Sequence, residues 1–117
     1  MSDKPQHVVR VSPIFVVGEL ARAMSYYRDV LGFEQLWAAT NYAIMTRNDQ
    51  QLHLQPRKDS KEGPSSCFIL VKGIEAIYSE YIKNKVQIEK RLEPLETGGK
   101  RFIVRDPDDN RIIFDGI

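Results

Sequence analysis

The feature that most constrains the fold of this chain is an internal repeat with a period of 54 residues. Apolar residues at the spacing i, i+3 and i+7 indicate an amphipathic helix after Gly18 and a second one after Gly73. The matching positions are Val17 and Val71, Leu20 and Ile74, Ala23 and Ile77, and Tyr27 and Tyr81. A pattern that returns at a fixed distance predicts one structural unit that occurs twice. The alternative is two unrelated α+β halves whose patterns coincide.

Both halves show the same predicted order of a strand, a helix and three further strands. Runs that are rich in β-branched residues or alternate between apolar and polar residues indicate the strands. The predicted strands of the first half are 8–17, 33–40, 42–47 and 51–55, and those of the second half are 67–71, 86–89, 101–105 and 111–114. The polar segment 57–65 is a predicted linker. The sequence therefore predicts one α+β domain, 1–117, with a module at 8–56 and a module at 66–117.

A crowded acidic turn, Asp106–Asn110, precedes the last predicted strand and resembles the start of a calcium loop. A calcium loop requires glycine at the next position, which is Arg111, and a bidentate acid at the position that Ile117 occupies. Proline at the second position, and alternating strands on both sides, favour a hairpin turn instead. Asp109 tolerates a left-handed backbone better than most residues do. We interpret the motif as structural and not as an active site.

Composition excludes several classes of partner. The chain has 17 Lys and Arg against 16 Asp and Glu, so a net charge of +1 gives no general attraction to nucleic acid or to an anionic membrane. No apolar run approaches the ~20 residues of a membrane span, and the polar start, residues 1–7, reads as a frayed tail without a signal peptide core. A single cysteine, Cys67, excludes an intrachain disulfide and favours the reducing cytoplasm.

Three stretches of the sequence resemble the vicinal oxygen chelate superfamily, which includes glyoxalase I, extradiol dioxygenases and bleomycin resistance proteins. VVGELARAMSYYRDVLGF resembles the opening strand and helix of these proteins, YAIMTRNDQQLHL resembles the third and fourth strands of their first module, and RDPDDNRIIF resembles their closing hairpin. The likeness spans residues 8–115. It implies two βαβββ modules that form a cupped mixed sheet, in a chain that is usually a homodimer.

The resemblance also implies where a metal is held in the metal-using members, with two ligands from each module. Carried onto this chain, those positions are Ser12, His53, Ser66 and Ile113. Serine is a poor ligand for zinc or iron, isoleucine is none, and one histidine does not hold a catalytic metal. The resemblance therefore points to the metal-free bleomycin resistance branch, with no cofactor and no catalytic residues. Such a protein sequesters an aromatic or amphipathic small molecule in a cleft.

The residues are also compatible with two other functions. The first is a glyoxalase-like metal-dependent lyase or isomerase, or a dioxygenase, which would need ligands outside the family positions, such as His53 with Glu34 or Asp115. The second is a structural or regulatory dimer whose cleft is filled by its own side chains. The residues that would fill it are Ile14, Phe68 and Ile113.

Strand alternation predicts which side chains face the cleft. If Leu52 and Leu54 pack under the helix, then His53 between them points to the opposite side. There it either contacts a ligand or is a tolerated polar residue in a wet groove. Trp37 either stacks on a planar ligand or packs in the core or a dimer contact. The predicted ligand-binding residues are Ser12, Trp37, Tyr42, His53, Ser66, Phe68, Arg111 and Ile113. Cys67 is predicted to be a buried small hydrophobe that faces the helix.

Overall fold

A computed structural model of the chain describes residues 5–117. The first module contains β1 Ile14–Val17, α1 Leu20–Asp29, β2 Glu34–Ala39, β3 Tyr42–Arg47 and β4 Gln50–Pro56. The second contains β5 Ser66–Val71, α2 Ile74–Lys83, β6 Gln87–Pro94, β7 Lys100–Arg105 and β8 Arg111–Gly116. Residues 57–65 connect β4 to β5 without a helix or strand. Of the predicted polar tail, residues 1–4 lie outside the described part, and residues 5–7 are exposed.

The strand order is the same in both modules. The first sheet has the order β1-β4-β3-β2 and the second has the order β5-β8-β7-β6. The first strand of each module runs parallel to the last one, and the other neighbours are antiparallel. Helices α1 and α2 begin at Leu20 and Ile74, which lie 54 positions apart as the repeat predicts. The predicted α+β fold of two βαβββ modules is therefore confirmed.

Two predicted strand boundaries are wrong. Strand β1 begins at Ile14 and not at residue 8, because β4 pairs with it only from Ile14 onward, and Val8, Val9 and Val11 remain exposed. Strand β6 runs for eight residues, Gln87–Pro94, where the sequence predicted 86–89. Two register shifts against β7 break the alternation of β6, and its position at the sheet edge admits charged residues and a proline.

Each helix covers one face of its own sheet. In the first module Leu20, Ala23 and Tyr27 of α1 pack on the buried strand residues Phe15, Val17, Ala43, Met45, Leu52 and Leu54. In the second module α2 packs on β6, β7 and β8, where Phe102, Val104, Ile112 and Phe114 are buried. Since α2 does not extend over the edge strand β5, Cys67 is only partly buried, which corrects the prediction of a buried cysteine. Partial burial still raises the pKa of its thiol.

The acidic turn Asp106–Asn110 joins the two modules. It is a hairpin turn, as predicted, with Asp109 at a φ of 66°. Its Asp106 carboxylate is 1% exposed and accepts a 2.8 Å hydrogen bond from the hydroxyl of Tyr27 in α1. The Asn110 side chain donates to the carbonyl of Val16 in β1 at 3.0 Å. The sequence predicted a structural role but not this connection between the modules.

Candidate functional site

The face of each sheet that turns away from its helix is uncovered, and we call these surfaces the first and second open faces. In the first module a cross-strand row links Ile14, His53, Ile44 and Trp37 by direct register. In the second module the corresponding row contains Phe68, Ile113, Ile103 and Lys90. Ile14, Trp37, Phe68 and Leu70 are about half exposed, at 48–59%. In the single chain, the side chains of the two open faces are therefore not part of a closed core.

The eight predicted binding residues fall into two groups of four, one in each module, and all except Ser12, which precedes β1, lie on strands. The first group is Ser12, Trp37, Tyr42 and His53, and the second is Ser66, Phe68, Arg111 and Ile113. The exposure of Trp37 removes core packing as its role. The exposure of Ile14 and Phe68 likewise shows that, within one chain, they do not plug a cleft.

His53 is held in place by two side chains of the first open face. The Tyr42 hydroxyl lies 2.7 Å from Nδ1 of His53, and Oε1 of Gln51 lies 3.1 Å from Nε2. The tautomer with its proton on Nε2 satisfies both hydrogen bonds, because Tyr42 then donates and Gln51 accepts. The Tyr42 ring also meets the imidazole edge to face, with centroids 5.4 Å apart. The imidazole therefore has a fixed orientation in which it can meet a ligand.

Sequence reasoning missed the partners of His53, although a signal for one was present. Tyr42 and His53 lie on adjacent antiparallel strands, and both alternate with residues that pack under α1. Alternation alone thus places their side chains on one face. The contact between them also requires the register that pairs Ile44 with His53, which follows from the turn at Asn48 and Asp49.

The side-chain oxygen of Ser12, which precedes β1, is buried and has no hydrogen-bond partner. Among the described residues it is the buried side-chain polar atom that is left unsatisfied. An unpaired buried hydroxyl costs about 1–3 kcal/mol. A polar group of a ligand, or a water molecule, would satisfy it.

The residues present do not fit a metal ion. The family positions place Ser12 and His53 in the first module and Ser66 and Ile113 in the second, and the last of these has no donor atom. Within residues 5–117 no three His, Cys, Asp or Glu side chains come together as a group that would hold a metal. At the positions that the resemblance implies, the donors among residues 5–117 therefore do not match the metal-ligand set of the metal-using members.

Charged residues flank the apolar row on the second open face. Glu89 accepts hydrogen bonds from Arg105 at 2.7 Å and from Arg111 at 2.7 Å, and these contacts lower the pKa of the carboxyl to about 2. On the other side of the row, Arg101 binds Asp115 through two contacts, at 2.6 and 3.0 Å. The sequence prediction included Arg111 but missed Arg105 and Glu89.

A groove of about 680 Å³ lies between the start of β4 and the edge strand β5. Its walls include Phe33, Leu52, Cys67 and Ile69, which are residues of the helix-covered side of the sheets. Of the eight predicted binding residues, Phe68 lines this groove. Gln51 and Leu70 of the open faces line it as well, so the groove borders both open faces but does not coincide with either. In the described part of the chain, no helix is long and apolar enough to cross a membrane.

Comparison with known protein families and curated sequences gives a consistent result. Residues 4–114 match the family described as the Glyoxalase/Bleomycin resistance protein/Dioxygenase superfamily. A bleomycin resistance protein of Geobacillus stearothermophilus is 27% identical over 122 aligned positions, which cover 87% of this chain and 92% of that protein. A bleomycin resistance protein of Staphylococcus aureus aligns with the same identity and coverage.

Solved structures show the same fold. A bleomycin-binding protein from bleomycin-producing Streptomyces verticillus, complexed with copper(II)-bleomycin, superposes with a TM-score of 0.80 at 21% identity. The alignment covers 96% of this chain and 98% of that chain. A lactoylglutathione lyase from Agrobacterium tumefaciens superposes with a TM-score of 0.77 at 17% identity, and covers 97% and 96%. Binding proteins and an enzyme thus share this architecture, and the side chains of the site must distinguish them.

Proposed function

Because the chain belongs to the Glyoxalase/Bleomycin resistance protein/Dioxygenase superfamily, we propose that it is a metal-independent binding protein of the bleomycin resistance type. It would sequester an aromatic or amphipathic molecule, such as an antibiotic, against its open faces. One observation carries this proposal: half-exposed aromatic and apolar side chains surround an imidazole that Tyr42 and Gln51 hold in one orientation. An apolar surface with a few placed polar groups is the usual composition of a small-molecule site.

The proposal includes a homodimer, in which a second copy of the chain would cover the open faces and complete the cleft. The half-exposed apolar residues of both faces support it, as do the exposed Val8, Val9 and Val11. The shape supports it as well, because the radius of gyration is 15.4 Å, whereas a compact chain of this length is expected to have about 13 Å. The unpaired Cys67 is consistent with a cytoplasmic protein.

Replacing His53 with alanine is expected to weaken ligand binding about tenfold and to leave the fold intact, because the side chain lies outside the core. Bleomycin, with and without copper(II), is titrated while the fluorescence of Trp37, the single tryptophan, is recorded. The matched control is His7→Ala, which removes the other histidine at an exposed position. A variant that unfolds, or that binds with unchanged affinity, would remove His53 from the site. A wild-type chain that binds neither form would exclude bleomycin as its ligand.

The enzyme alternative is tested by metal analysis of protein purified without a chelator and then incubated with nickel, zinc, iron(II) or manganese. We expect well below one metal ion per chain, because no three His, Cys, Asp or Glu side chains of residues 5–117 come together and Asp115 is bound by Arg101. One tightly held ion per chain would overturn the binding proposal in favour of a metal-dependent lyase or dioxygenase.

A further inference from the structure

The second open face carries a cluster of two cations and one anion. Arg105 and Arg111 are direct cross-strand neighbours on β7 and β8, and both reach the same Glu89 on the edge strand β6. A second carboxylate, that of Asp109 in the neighbouring turn, lies 3.7 Å from Nη1 of Arg105 and balances the remaining charge. The capacity of this cluster for an anion therefore rests on its free hydrogen-bond donors and not on a net charge. The two arginine side chains are 39% and 37% exposed, so a molecule on this face can reach them.

Hydrogen-bonding capacity also remains in this cluster. A guanidinium group has five N–H donors. The contacts to Glu89 use Nε of Arg105 together with Nε and Nη2 of Arg111. Arg105 Nη1 also lies 3.7 Å from the Asp109 carboxylate, which is too far for a hydrogen bond. Most of the ten donors are therefore free to bind further acceptor oxygens.

The cluster lies beside the apolar row of the same face. Ile113 lies two positions after Arg111 on β8, and its cross-strand neighbours are Phe68 and Ile103. Residues two apart on a strand point to the same side and lie about 7 Å apart, which is about the width of a fused ring system. A ligand that placed a ring on Phe68 and Ile113 would therefore hold a substituent next to the arginines.

We propose that Arg105 and Arg111 receive the anionic group of the ligand, a carboxylate, sulfonate or phosphate, while its ring system lies on Phe68, Ile113 and Ile103. When no ligand is bound, Glu89 accepts hydrogen bonds from some of the arginine N–H groups. It therefore competes with the ligand for these donors. Two oxygens of a carboxylate, sulfonate or phosphate can accept parallel hydrogen bonds from the fork of a guanidinium group, and two adjacent guanidinium groups select such anions over neutral analogues. This inference rests on the proposed function, because it assigns a chemical class to the ligand of the same open faces.

The test uses two fluorescent probes with the same rings, 8-anilinonaphthalene-1-sulfonate and the neutral N-phenyl-1-naphthylamine, titrated against the folded full chain. We expect the sulfonate to bind about tenfold more tightly than the neutral probe. Arg111→Gln should remove that difference, whereas Arg111→Lys should keep part of it. Glu89→Gln should tighten binding of the sulfonate severalfold and leave the neutral probe unchanged. Arg28→Gln, a change of the same charge on the exposed surface of α1, is the control.

The outcomes separate this inference from the proposal it rests on. Equal affinities for the two probes, or a sulfonate affinity that Glu89→Gln and Arg111→Gln leave unchanged, would overturn the anionic ligand while the open faces remained a binding site. If neither probe binds the folded chain, the second open face does not receive such a ligand and this inference fails, whereas the proposed function is decided separately by the bleomycin titration. Thermal unfolding of each variant, followed by circular dichroism, verifies that a lost affinity is not a lost fold.

Discussion

Replacing Asp106 with alanine is expected to lower the free energy of unfolding by about 3–5 kcal/mol. The carboxylate accepts hydrogen bonds from the backbone N–H groups of Asp108 and Asn110, from the side chain of Asn110 and from the hydroxyl of Tyr27. Alanine would leave four donors without this acceptor in a region where Asp106 is 1% exposed and Asn110 is fully buried. The loss would affect both the turn and its connection to α1.

Urea unfolding of the variant and of two controls measures this effect. Tyr27→Phe removes one donor of the four and is expected to cost about 1–2 kcal/mol. Asp109→Gly changes an exposed acid of the same turn at a φ of 66°, which glycine adopts freely, so its effect should stay within about 1 kcal/mol. If Asp106→Ala cost no more than Asp109→Gly, the turn would be a surface hairpin that does not stabilise the junction of the modules.

The internal repeat could be predicted from the sequence because it rests on the local spacing of apolar residues in each helix. Tyr27 and Tyr81 occupy equivalent positions of their helices and are 0% and 1% exposed, so both are core residues that the 3.6-residue period identifies. Strand alternation was equally informative for β4, where Leu52 and Leu54 are buried and His53 faces the opposite side. The pattern failed for β6, because an edge strand with register shifts has no regular alternation to detect.

The interactions that fix the site were less accessible from sequence, since they depend on which strands become neighbours. Glu89 and Arg111 lie on strands that are separated by β7, and a bulge turns Glu89 toward the open face. No spacing rule within one strand predicts that contact. The same holds for Asp106 and Tyr27, which are 79 positions apart and meet only because the closing turn of the second module packs on the first helix.

The proposed homodimer gives the second large effect: Phe68→Asp is expected to weaken association of two chains by at least about a hundredfold. Phe68 lies on the edge strand β5, is 55% exposed, and is adjacent to the equally uncovered Leu70. In a symmetric dimer one substitution places two unpaired carboxylates in the interface. Desolvating each carboxylate without a partner costs several kcal/mol.

Light scattering after size-exclusion chromatography, over a series of protein concentrations, measures the association. Ile82→Asp is the matched control, because Ile82 is a similarly exposed apolar residue, at 50%, but lies on α2 away from the open faces. We expect the wild type and Ile82→Asp to be dimers and Phe68→Asp to be a folded monomer. A monomeric wild type would contradict the homodimer. Loss of the dimer in Ile82→Asp alone would show that the interface lies on the helices and not on the open faces.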